Sequence, residues 1–211
     1  MILILDYGCG NILSLKRALD EIGVESLVSN EKKKILESEL IILPGVGAFE
    51  NAIKLLKKHG LFDTILDEVS KKKPLIGICL GMQMLFSKSF EMGEHNGLNI
   101  IEGNIEQIDK KSKKKKCKIP HISWSEIYFE NKENLNKDLM ELNQRSFYFL
   151  HSFMAYPLYK EHIIAKCKYY DVDVPAIVKK NNIVGFQFHP EKSGMNGLKL
   201  LKYTIKDLLK K

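Results

Sequence analysis

Cys79, His189 and Glu191 have the side-chain types of a nucleophile, a general base and a carboxylate that orients the base. Cys79 sits in Pro74-Leu75-Ile76-Gly77-Ile78-Cys79-Leu80-Gly81-Met82-Gln83, where an apolar run that reads as a buried strand ends at the thiol. Gly77 and Gly81 flank it with the Gly-x-nucleophile-x-Gly spacing of a sharp strand-to-helix elbow. Small neighbours let the backbone take a strained turn and lift the nucleophile above a sheet. Met82–Phe86 is expected to continue as a helix, whose positive N-terminal end favours thiolate over thiol. An isolated cysteine after a core strand is more often structural. The paired glycines, and a second segment downstream, reverse that reading.

That segment is Gly185-Phe186-Gln187-Phe188-His189-Pro190-Glu191-Lys192, an aromatic strand that ends in a histidine and a glutamate with a rigid proline between them. His-Pro-Glu alone is a short match. Both Cys79 and His189 nevertheless fall at the C-terminal ends of expected core strands, where one sheet brings together residues far apart in the chain. On these residues alone the chemistry is that of a cysteine hydrolase acting on a carbonyl.

The elements that must carry this site alternate between strand and helix in the first half. Met1–Asp6 reads as a buried strand, followed by the turn Tyr7-Gly8-Cys9-Gly10-Asn11 and a helix over Ile12–Ile22 with apolar residues at helical spacing. A lone Gly-x-Gly turn is weak support for a nucleotide, and the dinucleotide fingerprint is absent. Val24–Ser29 reads as a strand, Glu31–Ser38 as a short helix and Leu40–Leu43 as a third strand, stopped by Pro44-Gly45-Val46-Gly47. The glycines of that loop permit unusual backbone angles that can aim N–H groups at a ligand. Helices over Asn51–Lys58 and Leu61–Ser70 deliver the chain to the elbow.

Beyond the elbow, extended pieces dominate: Asn99–Ile108, Lys118–Ile122, Ile127–Phe129, Ser146–Phe153, Ile163–Tyr170, Ala176–Lys180 and Ile183–Phe188. A helix over Met195–Lys210 closes the chain. The expected fold is therefore α/β, an open and mostly parallel sheet flanked by helices, with a β-rich layer added in the second half. Ser146–Phe153 is apolar and aromatic enough for a central strand, and His151 within it reads as a core histidine rather than a catalytic one.

Composition narrows the function classes. The 211 residues suit a single domain, spanning 1–211, with a full hydrophobic core. Four cysteines, Cys9, Cys79, Cys117 and Cys167, show no paired metal-ligand spacing and no disulfide framework, so reduced thiols are expected. With no basic leader and no long apolar segment, a soluble cytoplasmic protein is expected. The net charge is +7, but the cations are almost all lysine, with Arg17 and Arg145 the arginines. Bidentate recognition of phosphates and bases favours arginine, so the excess argues against nucleic acid. The densest run, Lys110–Lys116, is expected to form a solvated hairpin tip.

Taken together, Pro44-Gly45-Val46-Gly47, the Cys79 elbow and Gln187-Phe188-His189-Pro190-Glu191 resemble the class I (triad) glutamine amidotransferases over nearly the whole chain. Asp6-Tyr7, Gly10-Asn11, Pro120-His121-Ile122-Ser123-Trp124, Tyr148-Phe149-Leu150-His151-Ser152 and Pro190-Glu191-Lys192-Ser193 are similar to segments of the glutaminase subunits of imidazole glycerol phosphate synthase. The resemblance implies that Cys79 attacks the amide of L-glutamine, His189 moves protons and Glu191 orients His189. It implies an oxyanion hole at Leu80 and Gly47, glutamine contacts from Gln83 and Glu91, and no cofactor or metal. It also implies a (β/α)8-barrel cyclase subunit as heterodimer partner, met by Asn11, Trp124, Tyr148 and Lys192, into whose bore ammonia passes. There the ammonia would complete imidazole glycerol phosphate and aminoimidazole carboxamide ribotide in histidine biosynthesis.

One segment departs from the pattern. Where these proteins usually read Pro-His-x-Gly-Trp-Asn, this chain reads Pro120-His121-Ile122-Ser123-Trp124-Ser125. The change keeps open a paralogous subunit that supplies ammonia for amidation of a bacterial surface sugar. More remote readings are a partnerless γ-glutamyl hydrolase and a basic, non-enzymatic binding module. Weak activity alone and a large rise with partner and acceptor ligand are expected from the resemblance.

Overall fold

The computed structural model describes residues 1–108, 117–131, 133 and 135–210. The Lys110–Lys116 run, with its expected hairpin tip, lies outside the described residues. The chain alternates through β1 (Ile2–Leu5), α1 (Ile12–Glu21), β2 (Ser26–Ser29), α2 (Lys32–Glu37), β3 (Leu40–Leu43), α3 (Phe49–Lys58) and α4 (Leu61–Ser70). It then reaches β4 (Leu75–Ile78) and the short α5 (Leu80–Met84). There follow β5 (Phe86–Ser89), β6 (His95–Asn96), β7 (Ile101–Gln107), β8 (His121–Phe129), α6 (Lys137–Met140), β9 (Ser146–His151) and β10 (Phe153–Pro157). The last elements are β11 (Ile163–Tyr169), β12 (Val172–Lys180), β13 (Ile183–Phe186) and α7 (Gly194–Leu208).

One large sheet runs in the order β2-β1-β3-β4-β13-β12-β11-β8-β9. It is parallel from β2 to β13 and antiparallel from there to β9. A second sheet, β10-β7-β5-β6, packs beside it. β1, β3 and β4 are buried along their whole length, as strands covered on both faces must be. Their alternate residues serve two separate cores. Ile2, Ile4, Leu40, Ile42 and Ile76 meet α1 and α7 through Leu15, Leu19, Leu201 and Ile205. Leu3, Leu5, Ile41 and Leu43 meet α3, α4 and the second sheet through Phe49, Leu56, Ile65 and Ile105. Period-two alternation of a wholly apolar strand thus fills both sides of the sheet. No helix among the described residues is long and apolar enough to cross a membrane.

Three expectations are corrected. The helix after Cys79 stops at Met84, and Phe86 begins β5, because the chain turns into the second sheet within one turn of the elbow. The expected strands Lys118–Ile122 and Ile127–Phe129 are replaced by one strand, β8, which starts at His121 and keeps Ser123–Ser125 in the sheet. Ser146–Phe153 is not a central strand. It splits into β9, at the edge of the large sheet, and β10, at the edge of the second. β9 carries apolar residues on both faces for separate reasons: Phe147 and Phe149 pack against Phe188, while Leu150 lies at the surface.

Candidate active site

Three neighbouring strands of the parallel half, β3, β4 and β13, end at one edge and carry the site. β4 lies between the other two, with Gly77 opposite Leu43 on one side and Gly185 on the other. Cys79 follows β4 directly and donates its N–H to the Phe186 carbonyl at 2.7 Å. Its φ of 53° and ψ of −107° are unusual for a side-chain-bearing residue, the strained turn expected of a nucleophile elbow.

The flanking glycines are required by contact. A Cβ on Gly77 would lie 2.7 Å from the Met82 nitrogen, and one on Gly81 would lie 1.8 Å from the Leu43 carbonyl oxygen. Neither obstacle is a flexible side chain. Gly81→Ala is therefore expected to destabilise the fold by at least the ~3 kcal/mol of severe overpacking. That corresponds to a fall in Tm of about 6–12 °C for a chain of this size, read by thermal unfolding.

The loop after β3 closes over the elbow. Tyr7, fully buried, donates its hydroxyl to the Pro44 carbonyl at 2.7 Å and fixes the first peptide of the loop. Gly45 abuts the elbow so closely that a Cβ would lie 2.8 Å from the Gly81 nitrogen and 2.9 Å from the Leu80 Cβ. Gly47 has open space around it but a φ of +103°, so its need for glycine is conformational. Gly45 of this loop thus packs directly on the residues that follow Cys79.

His189 comes from the extension of β13. Its N–H bonds the Tyr148 carbonyl of β9, and Ser193 Oγ donates to the His189 carbonyl at 2.6 Å while accepting from the Tyr148 N–H at 2.9 Å. The ring is 2% exposed. Its Nδ1 lies 2.8 Å from Glu191 Oε1, and Nε2 has no hydrogen-bond partner among the described residues. A carboxylate accepts, so Nδ1 carries the proton and Nε2 is the nitrogen left for chemistry. Burial pushes the His189 pKa down. The sulfur of Cys79 and the carboxylate of Glu191 outweigh burial and hold it up at about 10.

Beside the thiol, Gln83 donates from Nε2 to the Phe153 carbonyl at 3.0 Å and to Gln187 Oε1 at 3.3 Å. Gln187 Nε2 is 4.0 Å from Cys79 Sγ, which in turn lies 3.7 Å from the Leu150 carbonyl. Sequence reasoning did not single out Gln187. The signal was present: it is a fully buried amide between two aromatics, in phase with His189. Glu91 stands apart from this group. Its Oε2 accepts from the Phe49 N–H at 2.6 Å, capping α3 just beyond the Pro44–Ala48 loop.

The residues expected to meet a partner surround the same edge. Trp124 and Tyr148 are cross-strand neighbours on β8 and β9, with ring centroids 6.0 Å apart. Ile122 faces Leu150 one pair along, and Ile122, Trp124 and Leu150 are exposed by 55%, 56% and 36%. Asn11 caps α1 through its Oδ1 and lines a small cavity with Pro44, Val46, His189 and Glu191. Lys192 follows Glu191 and is partly exposed. Ser123 and Ser125 face away from this surface, since both hydroxyls reach the buried His121 ring.

The arrangement can hold an acyl group on sulfur and move a proton through Nε2 of His189. Comparison with known proteins identifies the family. The family model described as "Glutamine amidotransferase class-I" matches residues 3–206. The "Imidazole glycerol phosphate synthase subunit HisH" of Carboxydothermus hydrogenoformans is 40% identical over 210 residues, covering 99% of this chain and 100% of that protein. The subunit of the same name from Bacillus mycoides is 43% identical over 203 residues, covering 96% of this chain and 92% of its own. Among solved structures, the PurLQS complex of Thermotoga maritima contains a chain of the same fold, with a TM-score of 0.74, 19% identity and coverage of 99% and 98%. A crystal structure described as a glutamine amidotransferase gives a TM-score of 0.73 at 19% identity, covering 98% of each chain.

Proposed function

The chain belongs to the class I glutamine amidotransferases, among the HisH subunits of imidazole glycerol phosphate synthase, and from that premise we propose that Cys79, His189 and Glu191 are its catalytic triad. The protein is a glutaminase of histidine biosynthesis. The observation that carries the site assignment is the meeting of a strained Cys79 with a His189 whose Nδ1 is bound to Glu191 and whose Nε2 is left over.

The steps follow from these atoms. Cys79 passes its proton to His189 Nε2 as its sulfur attacks the side-chain amide carbon of L-glutamine, and the carbonyl oxygen becomes an oxyanion held by the N–H groups of Leu80 and Gly47. Such donors are typically worth about 2.7–4 kcal/mol each in the transition state. His189 Nε2 gives its proton to the departing nitrogen, ammonia leaves, and a γ-glutamyl thioester remains on Cys79. Water then attacks the thioester and loses a proton to Nε2, releasing glutamate and the thiol. Glu191 keeps the proton on Nδ1 throughout, so that Nε2 always faces the reaction. Gln83 and Glu91 hold the glutamine head group in this reading. With both Nε2 hydrogens of Gln83 committed to Phe153 and Gln187, its Oε1 is the atom offered to substrate.

The site is shut in this conformation. Cys79, Gln83 and His189 are exposed by 6%, 6% and 2%. Admission of glutamine requires the Pro44–Ala48 loop or the β9–β10 connection to shift, so low activity is expected without a partner. Ammonia formed at Cys79 lies one strand away from the surface. The sulfur touches the Leu150 carbonyl, and the Leu150 side chain lies on the exposed apolar tile with Ile122, Trp124 and Tyr148. A (β/α)8-barrel cyclase seated on that tile, with contacts from Asn11 and Lys192, would receive ammonia directly.

The test is glutamate release from glutamine by the protein alone and with the cyclase subunit plus its ribotide ligand, where strong stimulation is expected. The surface-sugar reading rested on Ser123 and Ser125. Both point inward, so the docking face keeps its tryptophan and its apolar neighbours. Trp124→Ala is expected to weaken cyclase binding by at least ~30-fold, the loss typical of an aromatic hot spot, measured by titration calorimetry. Its side chain is more than half exposed, so folding is unaffected.

A further inference from the structure

Behind the docking face lies a chain of polar side chains that the catalytic steps do not use. We propose that Ser123, Ser125, His121 and His151 form a directional hydrogen-bond relay that positions the Gln83 amide, so that the inner face of the docking strands is coupled to the glutamine site. The proposal rests on the reading of Gln83 as a glutamine-binding residue.

One fact assigns every proton. The Phe153 carbonyl accepts from Gln83 Nε2 at 3.0 Å and lies 2.8 Å from His151 Nδ1. A carbonyl cannot donate, so His151 carries its proton on Nδ1. Burial pushes the His151 pKa down to about 3, so the ring is neutral and Nε2 is bare. That nitrogen lies 3.1 Å from His121 Nδ1, which must therefore hold a proton and donate. His121 is also neutral, burial pushing its pKa down to about 4. Its Nε2 is then an acceptor, and the hydroxyls of Ser123 and Ser125 lie 2.9 and 3.0 Å from it. The two hydroxyls are 2.8 Å apart, so one donates to the ring and the other to its neighbour. Donation runs one way from the serines through both rings to the Phe153 carbonyl.

The His121 ring cannot turn to reverse this order. It is stacked between Phe149, at 4.9 Å and 13°, and Tyr169, at 3.9 Å and 24°. The register of β8 against β9 sets His121 directly opposite His151, on the inner face of the pair whose outer face carries Trp124 and Tyr148. The far end of the relay is the site itself, since Gln83 bonds Gln187 and Gln187 approaches Cys79. The two serines are the outer end of this order. They supply the donor that satisfies the bare Nε2 of His121 and strengthens its Nδ1–H as a donor. Without it, a buried ring nitrogen has no partner, and the hold of the His121 Nδ1–H on His151 Nε2 weakens. The Phe153 carbonyl and Gln83 lose their common anchor.

The experiment reads tautomers and kinetics on the full chain. Long-range 1H–15N correlation of the imidazoles from about pH 5.5 to 8 is expected to show His121 and His151 neutral and protonated on Nδ1 throughout. In S123A/S125A both rings are expected to stay protonated on Nδ1, while the 15N shift of His121 Nε2 moves to that of an acceptor without a donor. The KM for glutamine in the partner-stimulated enzyme then rises about threefold to tenfold, as for one neutral hydrogen bond, with kcat changed less than about twofold. H121F, which keeps the stack but cannot donate, reproduces the rise. H121N, whose amide nitrogen replaces Nδ1, reverses most of it. An Nε2 proton on either wild-type ring, titration of either ring in that range, or an unchanged KM in S123A/S125A would overturn the relay. A wild-type protein without glutaminase activity would instead overturn the reading of Gln83, while the tautomers would still decide the hydrogen-bond order.

Discussion

Replacing Cys79 with alanine is expected to lower glutamine hydrolysis by at least about ten-thousandfold while leaving synthesis from ammonium salt intact in the assembled enzyme. The two halves of that result come from different parts of the structure. Hydrolysis needs a sulfur to carry the γ-glutamyl group, and the donors around Cys79 cannot replace it. Use of ammonia needs only an acceptor site, which this reading places on the partner, and a docking face that Cys79 does not form. The substitution is mild for the fold. Alanine keeps a Cβ on the φ 53° backbone, and the polar partners of the thiol are distant, the Leu150 carbonyl at 3.7 Å and the Gln187 amide at 4.0 Å. Glutamate release and ammonium-dependent product formation, measured on one preparation, check both halves. Loss of both would point to a broken complex, and glutaminase activity above about one per cent of wild type would remove Cys79 from the mechanism.

How far this site was legible from the sequence depended on how local its causes were. Cys79 could be read because its neighbours are dictated by contacts within the elbow: Gly77 meets Met82, and Gly81 meets Leu43. His189 and Glu191 are two residues apart on a proline-stiffened turn, so their hydrogen bond is also local. The relay was not legible. His121 and His151 are opposite one another only because β8 and β9 pair in one register, and a shift of one residue would send each ring to the other face. For the same reason Ser123 and Ser125 read as a weak spot between two strands, although they lie on the inner face and finish the coordination of a buried ring.

β9 misled in an instructive way. A strand with apolar residues on both faces reads as central, because water ordinarily covers one face of an edge strand. Here the inner residues Phe147 and Phe149 belong to the core, while Tyr148 and Leu150 belong to the surface left for docking. The apolar pattern was correct, and in the function proposed above the second covering body is the cyclase partner. Glu91 was read as a substrate ligand through resemblance alone, and its bond to the Phe49 N–H adds a local role. By capping α3 it ties the far end of the Pro44–Ala48 loop, so the residue that would hold the glutamine head group also restrains the loop that closes over it.

The second large effect is expected from Glu191→Gln, which keeps shape and removes charge. His189 Nδ1 would then face an amide that can present either oxygen or nitrogen, and the ring loses the reason to hold its proton on Nδ1. A fall in kcat of about a hundredfold to ten-thousandfold is expected, the range for a mispositioned general base. A purely structural role would not predict the accompanying change with pH. In the wild type, burial lowers the pKa of His189, but Cys79 and Glu191 raise it further, to about 10, against 6.5 for an unperturbed histidine. A histidine raised in the folded state contributes stability that is fully present below pH 6.5 and is lost as pH climbs towards about 10. Without the carboxylate, burial regains weight and that slope shrinks. The stability advantage of wild type over the variant should therefore narrow between pH 6.5 and 10, read as the difference between two series of urea midpoints. Parallel series would mean that Glu191 does not hold the charge on His189, and the orientation of the base would need another source.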